Sequence, residues 1–360
     1  LLTPGPLTTT LATRQAMLRD YGSRDENFIA LTAELRARLL ALAHGAQSHA
    51  AVPLQGSGTF IIEAAIATLV RPGDKLLVLI NGAYGERMAA IARRLGRQVA
   101  VLAWPEDQPV VPAQVEHALG EDRGITHVAL VHCETTTGLL NPLPEIAEIA
   151  ARHGKRLMVD AMSSFGALAI DLRRMPITAL MASSNKCLEG VPGLGFALIK
   201  TDILAAAGEV SPSVSLDLHA QWRGFETNGQ WRFTPPVQVV AALVSALRQL
   251  EAEGGVPARR RRYEENFATL ASGMAGLGFR MYLDAAVQAP VIATFHCPAE
   301  PWFQFETFYQ ALAARGFVIY PGKLSRAETF RIGCIGAIDP ADFRRLIAAV
   351  SEVVAELRGR

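Results

Sequence analysis

Apolar residues fall along the chain in short unbroken runs, separated by segments in which they recur every three or four positions. The runs at 51–54, 75–80, 98–103, 127–133, 156–160, 179–182 and 196–200 read as short buried strands. They are continuous rather than alternating, the pattern of a sheet covered on both faces. Helical spacing marks 59–70, 84–95, 112–119 and 144–153, and Gly96 and Gly154 stand where two of these helices need a carboxyl-terminal cap. This alternation predicts an α/β fold with a mostly parallel central sheet and helices on both faces.

The rhythm breaks after Lys200. A stretch with Trp222, Gly224, Asn228, Gly229 and Trp231 reads as loop-rich, and Pro235-Pro236 opens a helical pattern that runs to Glu253. Gly254-Gly255 is the expected boundary. Beyond it the pattern reads helix, strand (291–295), helix (302–315), strands (318–320 and 330–335) and helix (339–357), a compact α+β unit. The organisation expected is an amino-terminal segment 1–13, a large α/β domain 14–253 and a smaller α+β domain 254–360.

Charge and cysteine usage narrow the function classes. Lys and Arg number 35 against 34 Asp and Glu, so no electrostatic footprint for nucleic acid or an acidic membrane surface is expected. The one basic run, Arg259 to Arg262, precedes Glu264 and Glu265 and predicts a solvated helix face. No apolar run reaches membrane-spanning length, and no charged segment leads into an apolar one at the start, so neither a span nor a signal peptide is expected. Four scattered cysteines without metal-ligand spacing read as free thiols of a reducing compartment; a cytoplasmic protein without a metal is expected.

Candidate chemistry gathers at predicted strand ends. Lys186 follows the strand 179–182, facing the crevice where open α/β sheets bind ligands, and burial there would free its amine as a nucleophile; taken alone it reads more readily as a solvated surface lysine, the commoner fate of a strand-end lysine. Asp160 closes the strand before; it reads equally as a partner for a protonated ring nitrogen or as a turn carboxylate before Ser163 and Ser164. Gly56-Ser57-Gly58-Thr59 joins a strand to a helix start and suits a phosphate, or simply caps the helix; it is not a dinucleotide fingerprint. Tyr84 follows another strand end, where it either lies flat on a ring or packs. Arg331, between apolar residues, must find an anion, either a substrate's or an internal Asp or Glu. An imine-forming lysine, a carboxylate, a phosphate cradle and a flat aromatic are what pyridoxal 5′-phosphate asks of a protein.

With these residues the sequence resembles the fold-type I, class V pyridoxal-phosphate aminotransferases over nearly its whole length. The resemblance is carried by Thr3-Pro4-Gly5-Pro6, Gln55-Gly56-Ser57-Gly58-Thr59-Phe60, Asn81-Gly82-Ala83-Tyr84-Gly85 and Glu134-Thr135-Thr136-Thr137-Gly138. It continues through Val159-Asp160-Ala161-Met162, Ser184-Asn185-Lys186-Cys187-Leu188-Glu189-Gly190 and Phe330-Arg331-Ile332-Gly333. The resemblance implies that Lys186 holds the cofactor as a Schiff base and shuttles the proton, while Asp160 pairs with the ring nitrogen and Tyr84 stacks. It assigns the cofactor phosphate to Ser57, Gly58 and Thr59 with Asn185, and the ring hydroxyl to Thr135. Thr234 would reach the partner subunit's cofactor phosphate in a homodimer with shared sites, and Arg331 would grip the acid of each substrate.

The lysine block and the Glu-Thr-Thr-Thr-Gly segment imply transfer from 2-aminoethylphosphonate to pyruvate, with alanine–glyoxylate or serine–pyruvate exchange as the alternative. A pyridoxal-phosphate-binding protein without turnover is the reading from another class. A phosphonate is highly charged and lies farther from its amine than an amino acid's carboxylate does, so further donors are expected. The Gly5 amide and Arg24 are candidates, although the residues around Arg24 favour its pairing with Asp25 or Glu26, or its solvation, over a place in the site.

Overall fold

The computed structural model describes residues 1–322 and 327–359. Its strands are β1 (His49–Gln55), β2 (Lys75–Ile80), β3 (Gln98–Ala103), β4 (Ile125–Val131), β5 (Cys133–Glu134), β6 (Leu139–Leu140), β7 (Arg156–Asp160), β8 (Ala179–Ser183), β9 (Leu194–Lys200), β10 (Ile292–His296), β11 (Tyr320–Pro321) and β12 (Thr329–Gly333). Seven form one sheet in the order β1-β9-β8-β7-β4-β2-β3. Only β9 runs antiparallel to its neighbours in this sheet, so the other six strands share a direction. Every residue of β8 is buried, and so are the last four of β7, which means that both faces of the central sheet are covered.

The helices are α1 (Leu11–Gln15), α2 (Glu26–Leu42), α3 (Gly58–Leu69), α4 (Ala83–Arg94), α5 (Pro112–Glu121), α6 (Leu143–Arg152), α7 (Thr201–Ala205), α8 (Leu218–Asn228), α9 (Val237–Glu253), α10 (Gly255–Gly276), α11 (Phe305–Ala314) and α12 (Pro340–Arg358). Gly254, in the left-handed region at φ 109°, ends α9 and opens α10. β10, β12 and β11 make a second, antiparallel sheet with β12 in the middle. One apolar core draws on Phe28 through Leu250 and packs the large sheet; a second gathers Leu2 with side chains from Leu270 to Leu357. A third, small cluster joins Leu7, Cys133, Cys187, Tyr263 and Ile335, side chains from distant parts of the chain.

Several expectations need correcting. The strand at 98–103 is β3, at the sheet edge and without one fully buried residue. The run at 127–133 ends as a sheet strand at Val131, because Cys133 and Glu134 turn away to pair with Leu140 and Leu139. The stretch around Trp222 is helical, capped by Asp217 and stopped by Gly229 in the left-handed conformation. The strand at 318–320 is only the short β11, and the helix expected from 302 begins at Phe305.

The largest correction concerns the basic run. It lies on α10, but helical periodicity turns Arg259 and Arg262 inward and leaves Arg260 and Arg261 outside. Arg259 is 1 % exposed. It stays charged inside the protein because Glu253 and Glu189 lie 2.7 and 3.5 Å away.

Candidate active site

The shared strand direction brings five carboxyl ends to one edge of the sheet. From them issue the segments 56–59 after β1, 81–84 after β2, 132–135 after β4, 161–162 after β7 and 184–186 after β8. They enclose a cavity of about 200 Å³ lined by Ser57, Gly58, Thr59, Tyr84, Thr135, Asp160, Asn185 and Lys186. Eight residues singled out from the sequence thus meet in one place, at the crevice where α/β sheets hold their ligands. A wider groove of about 1130 Å³ lies elsewhere, between Arg152, Arg173 and Lys200, and contains none of them.

Lys186 sits in a tightly wound turn: the Ser184 N–H donates to Leu194 O, the Glu189 N–H to Lys186 O and the Gly190 N–H to Ser184 O. Burial pulls its amine down to about 8, against the opposing pull of Cys187 and Asp160. The amine donates to the carbonyl of Pro4 at 2.8 Å. Gly5 follows at φ 117°, and a Cβ there would stand 2.6 Å from Asn185 O and 2.8 Å from Lys186 Cδ, so only glycine lets the amino-terminal segment lie this close.

Asp160 accepts the Met162 N–H at 3.0 Å, and burial pushes its carboxyl up to about 7. A carboxylate so deeply placed needs a cationic partner to keep its charge.

The cradle fits a phosphate. Ser57 precedes α3 without capping it, which leaves its hydroxyl and the first N–H groups of the helix available at the cavity wall. Arg87, also lining the cavity, donates to Thr59 Oγ1 at 3.1 Å and lies 5.0 Å over the Tyr84 ring. A Cβ on Gly58 would stand 2.8 Å from Met162 Sδ, so the wall has no room for a larger residue unless Met162 moves.

Arg87 and Met162 carried no assignment in the sequence reading. Arg87 was within reach of it, because a residue three positions after Tyr84 on a helix shares its face. Glu134, fully buried, also lacked one. Its carboxylate accepts from the Thr136 N–H and hydroxyl at 3.0 and 2.6 Å and from the Tyr84 N–H at 3.3 Å, tying the start of α4 to the turn that bears Thr135.

Arg331 is buried on the central strand β12, outside the cavity lining. Nη1 donates to Thr135 O at 3.0 Å and Nε to Pro321 O at 3.1 Å; among the described residues no carboxylate pairs with it. Burial lowers its pKa. Thr234 and Arg24 are exposed, away from the cavity.

A lysine, an acid, an anion cradle and an aromatic at the carboxyl edge of a mostly parallel sheet define a pyridoxal-phosphate enzyme of the aminotransferase fold. Solved structures agree. The chain superposes with a TM-score of 0.88 on an aspartate aminotransferase of Thermus thermophilus (26 % identity, 99 % of both chains). The value is 0.91 for a ureidoglycine–glyoxylate aminotransferase of Bacillus subtilis (25 % identity, 99 % of this chain and 93 % of that one). The family model "Aminotransferase class-V" matches residues 11–322, and the chain belongs to that family of pyridoxal-phosphate-dependent enzymes. Among curated relatives, the 2-aminoethylphosphonate–pyruvate transaminase of Pseudomonas putida is 56 % identical over 99 % of this chain and 97 % of its own. Those of Pseudomonas fluorescens and Pseudomonas aeruginosa are 57 % and 55 % identical over the same share of this chain, and over 97 % and 96 % of their own.

Proposed function

We propose that this enzyme moves the amino group of 2-aminoethylphosphonate to pyruvate, giving phosphonoacetaldehyde and L-alanine. The observation that carries the reading is the near-full-length identity of 55–57 % to relatives bearing that activity in their names. Bound pyridoxal phosphate supplies an electron sink for the carbon that bears the amino group.

The chain's own residues supply binding and proton traffic. Lys186, whose free amine burial brings down to about 8, would carry the proton between the two carbons that exchange it. Asp160 would pair with the ring nitrogen and hold it protonated, each charge justifying the other's burial. Ser57, Gly58, Thr59 and Asn185 would hold the phosphate, with Arg87 adding a positive charge; Tyr84 would lie against the ring and Thr135 would meet its hydroxyl. Arg331 would bind the acid of donor and acceptor in turn; its hydrogen bonds to described residues go to the carbonyls of Thr135 and Pro321, not to a carboxylate, which supports that role. The Gly5 amide adds a donor near Lys186; Arg24 remains a donor candidate only if the partner subunit brings it to a cavity.

The working unit in this reading is a homodimer, with Thr234 serving the partner's cofactor. Phe60 and Phe233, 52 % and 43 % exposed beside the cradle and beside Thr234, give such a contact apolar surface. The chain divides at Gly254-Gly255 into a large and a small domain. Four unpaired thiols fit a reducing, cytoplasmic setting, and no helix among the described residues is long and apolar enough to cross a membrane.

A panel of amino donors tests the reading. Purified, cofactor-loaded protein should form L-alanine from pyruvate fastest with 2-aminoethylphosphonate. Faster turnover with serine, or alanine-to-glyoxylate transfer outpacing both, would replace this reading with the alternative exchange.

A further inference from the structure

The inward half of the basic run takes no part in the chemistry above, yet it is bonded to the segment that carries Lys186. Arg259 Nη1 donates to the Cys187 carbonyl at 2.7 Å, and its Nε to Glu253 at 2.7 Å. Arg262 Nη2 donates to Glu189 Oε1 at 2.7 Å and its Nε to Glu253 Oε1 at 2.8 Å. The Tyr263 hydroxyl donates to the same Glu189 oxygen at 2.6 Å. Two guanidinium groups and two carboxylates thus neutralise one another under the lysine turn.

The same face of α10 holds the other end of the site. Arg262 Nη1 donates to the carbonyls of Gly336 and Ile338 at 2.6 and 3.0 Å, and the Gly336 N–H donates to the Tyr263 hydroxyl at 3.3 Å. Asn266 Nδ2 donates to Cys334 O at 3.1 Å. These groups lie within a few residues of Arg331, in the segment that leaves β12. Glu189 itself is 5 % exposed and has φ 60°, a left-handed conformation that a residue with a side chain adopts only when its surroundings hold it there.

We propose that Glu189 is a positioning residue for Lys186, and that the Arg259–Arg262–Tyr263 face of α10 ties the cofactor lysine to the strand that grips the substrate's acid. The inference rests on the assignment of Lys186 given above. A buried ion cluster is a poor source of net stability, because apolar residues of similar size would serve as well; what it provides is fixed geometry. Transfer between two different substrates needs that geometry. The amine of Lys186 must meet the reacting carbons of both while Arg331 holds anions at different distances from them, and a shift of about 1 Å can cost on the order of 100-fold in rate.

Two variants of the cofactor-loaded enzyme test this, Glu189→Gln and Tyr263→Phe, the second removing only a hydroxyl in case the first does not fold. The expected results are a displaced pH midpoint, by about half a unit or more, in the absorbance of the lysine-bound cofactor and a kcat lowered about 10- to 100-fold with little change in KM. In the cofactor-free protein, amide exchange should rise together in the segments 184–190 and 333–338. Tyr263→Phe should move all three readouts the same way, by less.

Lower thermal stability with midpoint and kcat unchanged in the folded variants would overturn the proposal, leaving the cluster merely structural. Faster exchange in 184–190 alone would remove the coupling. Lys186→Ala separates the two levels: a lysine-bound cofactor spectrum that survives in it overturns the assignment of Lys186, whatever Glu189 does.

Discussion

Burial sets the protonation of the two groups that face each other's chemistry in the cavity. It lowers the Lys186 amine to about 8 and raises the Asp160 carboxyl to about 7, each toward its neutral form. Only the neutral amine can attack an aldehyde. Capture of pyridoxal phosphate by the cofactor-free protein should therefore quicken as pH rises through about 8 and level off about a unit or two higher, because the amine is half neutral at its pKa and nearly all neutral beyond that. Stopped-flow absorbance checks this; a rate that keeps climbing toward the ordinary lysine value of 10.5 would mean that the amine is solvated.

At the scale of elements, the cavity is walled mainly by segments that leave strand ends, and these junctions are fixed by close approach. Gly82 shows this: a Cβ there would stand 2.4 Å from Glu134 Cδ, inside the contact that ties α4 to the threonine turn. Gly82→Ala should cost about 1–3 kcal/mol of stability through overpacking and weaken cofactor retention by moving Tyr84. Urea unfolding and dialysis of the loaded protein measure the two effects; unchanged values in both would mean that the junction is slack.

The same level explains what could be read from the sequence. Thr135 came only from the family resemblance, whereas Lys186, Asp160, Ser57 and Tyr84 were legible because unbroken apolar runs mark strands and a parallel sheet gathers the strand ends. Glu134 and Met162 were not, since their significance comes from partners on other strands. The basic run was misjudged for a related reason: charge alone suggests solvent, while the side chains that neutralise Arg259 and Arg262 include Glu189, about 70 residues away in the chain. α2 could have been found, for Phe28, Thr32, Leu35 and Leu39 bury at helical spacing. α8 was obscured by its glycine and tryptophan.

At the scale of the molecule, a single chain leaves Thr234 exposed, whereas the proposed homodimer puts it to use. Thr234→Ala should lower cofactor affinity about 10- to 100-fold, the value of one hydrogen bond to a charged group, with the dimer intact by sedimentation. Unchanged retention would show that each site is complete within its own chain. Everything else depends on one covalent attachment. Borohydride reduction of the cofactor-loaded enzyme, followed by peptide mapping, should place the pyridoxyl label on Lys186; a label on another lysine, or none, would contradict the site described above.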